Sequence, residues 1–256
     1  MKNPELEPNR DRPLSALGAY ELRARLFGAV ELSNRWGRVE ENRARQSLSW
    51  LLLKYLLVNR GREVSQEELL DSLWPDKPDI NADGASRVRL RRLREALQPL
   101  HLGKKDGLIL FGGGKYCLNP LYDIDTDEGA FNRLMERIAA CPADEPEGLA
   151  LCVRALELMR GPFMEYTEEA PWLEEYRRCY GRRLCALAET TLERTAALGD
   201  DSALELLCRR TAAIAPEVES VHRAVIRCLV ARNKDVELVR YVAQLSRSPG
   251  AVWLEN

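Results

Sequence analysis

Residues 87–94 read Arg-Val-Arg-Leu-Arg-Arg-Leu-Arg, and this stretch decides how the chain is interpreted. Five of its eight residues are arginine, in a chain whose formal net charge is only −2. On a helix with 3.6 residues per turn, the leucines Leu90, Leu93 and Leu97 form one stripe that can pack on a core. The arginines then lie on or beside the opposite face, where guanidinium groups can bind phosphate oxygens or the O6/N7 edge of guanine. A solvated face held by ion pairs is the alternative, although only Glu95 interrupts the basic run.

The length and composition predict an ordinary globular protein. With 256 residues, two domains are expected, and 45% hydrophobic and 30% charged residues fit a globular chain. No apolar run approaches the ~20 residues of a membrane span, so no membrane partner is expected. We interpret residues 1–18 as a disordered lead-in without the apolar core of a signal peptide, and expect a cytoplasmic protein.

The cysteine and histidine content argues against a metal site, a cofactor or catalysis. The seven cysteines contain no Cys-x-x-Cys pair, and only two histidines accompany them. Reduced, mostly buried thiols are the better account. His101 is predicted in a loop, and His222 falls on a helix among valines. No set of nucleophile, base and orienting group can be assembled, so we expect no enzyme and no cofactor.

The charge divides the chain into a basic front and an acidic back. Residues 19–118 contain 18 Lys and Arg against 13 Asp and Glu, a net charge of +5, and the remainder has a net charge of −7. The asymmetry suggests that the front binds a polyanion and the back something else. Acidic helices that only keep the protein in solution are the simpler reading of the back half.

The front half alternates short strands and helices. Small strands are predicted between Tyr20 and Val39, with turns at Gly28 and at Ser33-Asn34, followed by a strong helix over 47–58. Ser65 and Glu68 form a capping box that begins another helix. The triple glycine 112–114 joins two strands in a hairpin, and it lacks the pattern of a nucleotide-binding loop.

This order resembles the OmpR/PhoB-type winged helix-turn-helix domain. Residues 65–75 are similar to the second helix of that family, residues 88–97 to its recognition helix, and Gly113-Gly114-Lys115-Tyr116-Cys117-Leu118 to its wing. The resemblance implies double-stranded DNA as the partner, with the recognition helix in the major groove. The residues it assigns to DNA binding are Arg87, Arg89, Arg91, Arg92, Arg94, Gly113, Gly114 and Lys115. It assigns a loop that contacts RNA polymerase to Pro75, Asp76, Lys77, Pro78 and Asp79.

One departure from the family concerns Asp83-Gly84 in the first turns of the recognition helix. Glycine there costs roughly 1 kcal/mol of helix stability, and Asp83 would repel phosphate. The helix is therefore expected to begin later than in the family, with Asn81 or Asp83 as its cap.

The back half is predicted to be all helical after an aspartate-rich linker at 121–127. Its clearest signal is a repeat of 34 residues, the period of a tetratricopeptide helical hairpin. The pairs are Leu192 and Ile226, Gly199 and Asn233, Asp201 and Asp235, Leu204 and Leu238, and Leu207 and Tyr241. Such repeats stack into a concave surface that binds peptides or other helices.

The segment Arg160-Gly161-Pro162-Phe163, the segment Trp172-Leu173-Glu174-Glu175 and the repeats together resemble the bacterial transcriptional activator domain of SARP-type (antibiotic regulatory protein) regulators. The expected fold is mostly α with a small β component. A winged helix over 19–122 precedes a tetratricopeptide-like domain over 123–246 and a tail over 247–256. The resemblance implies a transcriptional regulator, in the activating direction, that contacts RNA polymerase and forms a homodimer on repeated half-sites. The alternative is a protein-interaction scaffold whose winged helix no longer binds DNA.

Overall fold

The computed structural model describes residues 20–42, 48–73, 82–102, 107–167, 170–248 and 250–255, with the backbone alone at Tyr20, at 82–87 and at Glu255. The front half contains strands β1 (Tyr20–Arg25), β2 (Glu31–Asn34) and β3 (Gly37–Glu40), helix α1 (Leu48–Val58), strand β4 (Val64–Ser65), and helices α2 (Gln66–Leu73) and α3 (Ala82–Ala96). A short 3-10 helix (Gln98–Leu100) precedes strands β5 (Ile109–Gly112), β6 (Lys115–Leu118) and β7 (Tyr122–Thr126). The back half consists of helices α4 (Asp127–Ala140), α5 (Pro146–Leu158), α6 (Pro171–Leu198), α7 (Leu204–Ile214), α8 (Glu219–Ala231) and α9 (Asp235–Leu245), and a second 3-10 helix (Val252–Glu255).

Two small sheets flank the helices of the front half. The first has the strand order β3-β2-β1-β7, and the second, which forms the wing, has the order β4-β6-β5. Along β1, Leu22 and Ala24 face inward and are almost fully buried while their neighbours are exposed. This alternation, with a period of two residues, places β1 over the front core.

The predicted turn at Ser33-Asn34 lies two residues too early in the sequence. Both residues belong to β2, and the chain turns at Arg35-Trp36 instead. The reason is the Asn34 side chain, whose Oδ1 accepts hydrogen bonds from Trp36 N at 2.9 Å and Gly37 N at 3.1 Å. Asn34 therefore forms a side-chain turn from the end of the strand.

The predicted linker at 121–127 is also wrong, because most of it is strand β7. This strand pairs in parallel with β1, with Tyr20 opposite Tyr122 and Ala24 opposite Thr126. Its two aspartates, Asp123 and Asp125, point to solvent while Tyr122 and Thr126 are buried. The strand pattern was hidden by its polar outer face.

The 34-residue period predicted the helical repeat correctly. Helices α6 and α7 form one hairpin, and α8 and α9 form the next. Gly199 and Asn233, which are 34 positions apart, end their helices in the left-handed region at φ 68° and 55°. Leu207 and Tyr241 are likewise both buried. The predicted fold class, a winged helix followed by tetratricopeptide-like helices, is confirmed.

The two halves share one hydrophobic core. Phe27, in the β1–β2 connection, packs edge-on against rings of the back half: Phe131 at 5.6 Å, Phe163 at 5.7 Å and Tyr180 at 5.1 Å between centroids. The backbone of the α5–α6 loop follows the same connection, with Met164 N donating to Leu26 O at 2.8 Å. The junction is therefore packed like a domain interior.

Buried polar groups fix this junction in place. The Asp127 carboxylate accepts from Leu26 N at 2.7 Å and from Phe27 N at 3.2 Å, and burial raises its pKa to about 6. Lys54 of α1 donates to Glu41 and to Thr167 Oγ1, both at 2.6 Å. The bonds of Asp127 and the bond from Lys54 to Thr167 join residues 100 to 113 positions apart, so the relative placement of the halves is specified and not left to a linker.

The segment expected as a tail packs on the last repeat. The indole ring of Trp253 stacks on the imidazole of His222 at 5.5 Å, and its Nε1 donates to Pro216 O at 2.9 Å. His222 is fully buried: its Nε2 donates to Ala215 O, and its Nδ1 contacts the hydroxyl of Tyr241. This histidine is therefore a core residue with both ring nitrogens engaged.

Candidate nucleic-acid interface

Helix α3 presents its basic side to solvent because its apolar side is anchored. Leu90, Leu93 and Leu97 are buried against α1 and the front core. Their spacing of three and four residues leaves the opposite face of the helix outside. Val88, Arg91, Arg92 and Glu95 lie on that exposed face.

The predicted arginines of α3 differ in how freely they can reach a ligand. Arg91 is 74% exposed and lies 3.5 Å from the Glu95 carboxylate, a surface pair of little strength. Arg92 is exposed as well. Arg94 is exposed and directs Nη2 toward Ile109 O of β5 at 3.5 Å, next to the wing. Arg89 is half-buried, and burial lowers the pKa of its guanidinium.

Some of the predicted site lies outside the part of the chain that the structure describes. Arg87 is on α3, but its side chain is beyond the described atoms. The loop assigned to polymerase contact, Pro75, Asp76, Lys77, Pro78 and Asp79, is also outside the described residues.

Asp83-Gly84 led to the expectation that the recognition helix begins late, and this expectation is wrong. Helix α3 starts at Ala82, so that both residues lie in its first turn. Residue 81, offered as a cap, is not among the described residues. The glycine is therefore tolerated inside the helix, at the roughly 1 kcal/mol that its backbone freedom costs.

The wing is a tight hairpin with a paired lysine at its tip. Gly113 and Gly114 have φ of 57° and 75°, the two consecutive positive values that a type I′ turn requires. Lys115, directly after them, donates to the Glu63 carboxylate at 2.8 Å, and this hydrogen bond raises the pKa of the lysine. Both side chains are more than half exposed, so the pair is open to competition by phosphate.

The second helix is attached to the first by a polar cluster. Ser65 Oγ accepts from Glu68 N at 3.0 Å, as the capping box predicts. The Glu68 carboxylate accepts from Tyr55 Oη at 2.8 Å and from Arg62 at 2.9 Å. The hydrogen bonds to Arg62 and Tyr55 keep the pKa of Glu68 below its usual range although partial burial opposes them. Helix α2 is thereby held at a fixed angle to α1.

Two exposed apolar side chains near the basic face were not among the predicted site residues. Phe111 on β5 is 44% exposed and stacks on Tyr116 at 4.5 Å, and Val88 on α3 is 45% exposed. A hydrophobic residue inside a basic run was the available signal for Val88. Exposed apolar groups beside arginines suit contact with sugars and thymine methyl groups.

Two searches of the described residues bear on other functions. No group of three or more His, Cys, Asp or Glu that could hold a metal ion occurs among the described residues. No helix in the described part of the chain is long and apolar enough to cross a membrane.

Comparison with protein families identifies the back half. Residues 126–244 match the family described as bacterial transcriptional activator domain. The match begins at the last residue of β7 and includes helices α4 to α8 and most of α9.

Two curated relatives of the chain are named as regulators. It is 29% identical over 172 residues to the transcriptional regulator RedD of Streptomyces coelicolor, covering 63% of this chain and 45% of RedD. It is 27% identical over 153 residues to the regulatory protein AfsR of the same organism, covering 60% of this chain and 14% of AfsR. The chain therefore spans less than half the length of these relatives.

A solved structure supports the architecture. Mycobacterium tuberculosis EmbR, determined in complex with a low-affinity phosphopeptide, aligns with a TM-score of 0.57 at 18% identity, over 91% of this chain and 61% of EmbR. At this identity the alignment bears on the fold alone. Together the comparisons confirm the resemblance to SARP-type regulators: the chain is similar to two Streptomyces regulators, and its residues 126–244 match the bacterial transcriptional activator domain.

Proposed function

We propose that this chain is a transcriptional regulator, in the activating direction, that binds promoter duplex DNA with α3 in the major groove. The observation that carries the proposal is the exposed basic face of α3, whose opposite side is fixed by buried Leu90, Leu93 and Leu97. Its similarity to named regulators supports the same conclusion. In this arrangement Arg91 and Arg92 read bases or grip the nearest phosphates.

The remaining candidate residues serve the DNA backbone. Arg87, Arg89 and Arg94 flank the reading face and are proposed to contact phosphate. Gly113 and Gly114 let the wing approach the neighbouring groove closely, and Lys115 at its tip adds a phosphate contact. Since Lys115 must first leave Glu63, its contribution is expected to be smaller than that of an unpaired lysine.

The partners and the setting complete the proposal. The loop 75–79 contacts RNA polymerase, two copies bind repeated half-sites, and a peptide or protein occupies the groove of the helical repeats. The protein works in the cytoplasm without catalysis or cofactor. Residues 19–122 form the DNA-binding domain and 123–246 the activator domain, with 247–256 as a tail.

The test is a fluorescence-anisotropy titration against a pool of promoter duplexes at several salt concentrations. We expect tight binding to a subset of duplexes, with affinity that falls steeply as salt rises because bound phosphates release counterions. Arg91→Ala or Arg92→Ala is expected to cost about 1–3 kcal/mol on the preferred duplex if that side chain reads a base. Lys115→Ala should weaken binding to every duplex alike. Equal losses on all duplexes for the two arginine variants would mean that they only grip phosphate.

A protein-interaction scaffold is the second candidate. Asp83-Gly84 in the first turn of α3 and the Glu63 partner of Lys115 favour it, because both reduce the attraction for phosphate. The same titration separates the two functions. Binding weaker than about 10⁻⁴ M to every duplex at physiological salt, below even ordinary non-specific affinity, would support the scaffold.

A further inference from the structure

A groove of about 650 Å³ lies where the long helix α6 passes the α5–α6 loop and the α7–α8 connection. Ile214 and Val218 of the repeat line it with partly exposed apolar side chains, whereas the other apolar lining residues, Phe27, Met159 and Phe163, are buried. The volume is in the range of ligand-binding sites, which also combine an apolar lining with a few polar groups.

The wall contributed by α6 contains a glycine in mid-helix. Gly181 lies near the middle of a helix that runs from Pro171 to Leu198, where glycine weakens the helix. A Cβ atom built at Gly181 would meet nothing within 4 Å, so packing inside the protein does not require this glycine. Its effect is to keep the groove open and its helix backbone accessible.

The two ends of the groove carry opposite charges. Along α6, Arg178 and Arg182 line one end, next to Glu174 and Arg177, which pair with each other at 3.6 Å. Glu189 lies further along the same helix, and Glu217 of the α7–α8 connection also lines the groove. Arg178 forms an ion pair with the exposed Glu175, and among the described residues no ion pair to Arg182, Glu189 or Glu217 occurs.

Cys185, another lining residue, lies within reach of both carboxylates. Burial raises the pKa of its thiol, and the charges of Glu189 and Glu217 raise it further. The two carboxylates therefore act on the same end of the groove.

The spacing of these charges selects the kind of occupant. Arg178 and Arg182 precede Glu189 on α6 by eleven and seven residues, which correspond to about 16 and 10 Å at 1.5 Å per residue. An extended chain covers that distance in about three to five residues. A compact metabolite rarely carries opposite charges so far apart, whereas a short peptide does so naturally.

We propose that this groove binds an extended peptide segment of a partner protein. An acidic side chain of the peptide pairs with Arg178 and Arg182, apolar side chains pack on Ile214 and Val218, and a basic side chain pairs with Glu189 and Glu217. That the peptide comes from a partner in transcription rests on the proposed function. The binding of the peptide to the groove does not require DNA.

The experiment uses a phage-displayed library of random dodecapeptides selected on the full chain. Excess soluble Gly181→Trp variant is present during selection to remove peptides that bind elsewhere. Enriched peptides are then synthesised and titrated by fluorescence polarisation. We expect them to carry an acidic and a basic residue about three to five positions apart with apolar residues between, and to bind Gly181→Trp at least tenfold more weakly.

Three further variants distinguish a loss of peptide binding from a folding defect. Ala197→Trp places the same side chain at an exposed position of α6 outside the groove, and it should bind the peptides like the parent protein. Gly181→Ala should raise the melting temperature, because alanine favours the helix, while it weakens the peptide. Arg182→Glu should lower the affinity, and a peptide whose acidic residue is replaced by lysine should recover part of it.

Two outcomes of the selection would overturn the proposal. Peptides that bind the parent and Gly181→Trp equally would place their site elsewhere. No enriched peptide, together with a thermal shift by decanoate that Gly181→Trp abolishes, would assign the groove to a small anionic amphiphile. A parent protein that binds DNA but enriches no peptide would show that the peptide proposal had failed while the proposed function stands.

Discussion

At the scale of single residues, Lys54 and Glu41 form a buried ion pair, and removing both charges from water opposes folding. Both side chains are almost completely buried, and burial lowers the pKa of Lys54 and raises that of Glu41 although each charge favours the other. The lysine also donates to Thr167 Oγ1, 113 residues away. In the sequence Lys54 stands among leucines on α1 and looks like an ordinary helix residue, because its partners are remote and leave no local pattern.

Removing Lys54 alone should be much worse than removing the pair. Lys54→Met leaves the Glu41 carboxylate buried without its cation, and the free energy of unfolding is expected to fall by roughly 3–5 kcal/mol. Lys54→Met/Glu41→Leu should recover much of this loss, since no charge is then buried. Urea denaturation of the three proteins measures the difference. A double variant as unstable as the single one would show that the ion pair itself is strongly stabilising.

His222 should make the stability of the back half depend on pH. Burial lowers the pKa of its imidazole below the usual 6.5, so the folded state prefers the neutral ring. The stability gained from this residue is complete above about pH 6.5 and is lost as the pH falls toward and through the lowered value. The difference in unfolding free energy between the parent and His222→Gln should therefore shrink from pH 7 to pH 5. A constant difference would contradict the assignment of a neutral ring.

At the scale of elements, the sequence predicted local structure well and distant pairing poorly. The wing was predictable because three consecutive glycines separate two apolar strands, and the helix α3 because leucines and arginines alternate with helical spacing. Strand β7 was not, because its partner β1 lies about 100 residues earlier and parallel pairing leaves no turn between them. The basic face of α3 was therefore predicted from the sequence, whereas the pairing of β7 with β1 was not.

The glycines of the wing turn should differ in what they tolerate. Gly114→Val places a β-branched side chain at φ 75°, and we expect a loss of roughly 1–2 kcal/mol in the free energy of unfolding. Gly113→Asn should be nearly neutral, because asparagine adopts the left-handed region readily. Thermal denaturation followed by circular dichroism compares the two. Equal stability of Gly114→Val and the parent would mean that the turn can adopt another type.

At the scale of the whole molecule, the two halves behave as one packed body. The 34-residue repeat and the winged-helix motifs identified each half from the sequence, but neither predicted that they share a core. The aromatic cluster around Phe27 draws its rings from a loop and two helices of the other half. Periodicity describes a single element, so contacts of this kind are invisible to it.

Shared packing predicts a single cooperative unfolding transition for both halves. Phe27→Ala should lower the free energy of unfolding by about 3–5 kcal/mol and split the transition in two, since it opens a cavity at the junction. Phe27→Leu, which keeps most of the volume, should retain one transition. Calorimetry together with tryptophan fluorescence reports both quantities. A single transition in Phe27→Ala would mean that the polar contacts of Asp127 and Lys54 couple the halves by themselves.

Strand β7 affects how the winged-helix half and the helical half could be exchanged between related chains. The strand completes the sheet of the winged-helix half, yet the carboxylate of Asp127, the next residue, accepts hydrogen bonds from the backbone of Leu26 and Phe27. A chimera joined before β7 would give β1 a foreign neighbour, and one joined after it would need an incoming module that begins with an acidic residue. Recombination between relatives is therefore expected to succeed chiefly when the donor's β1–β2 connection is transferred together with its helices.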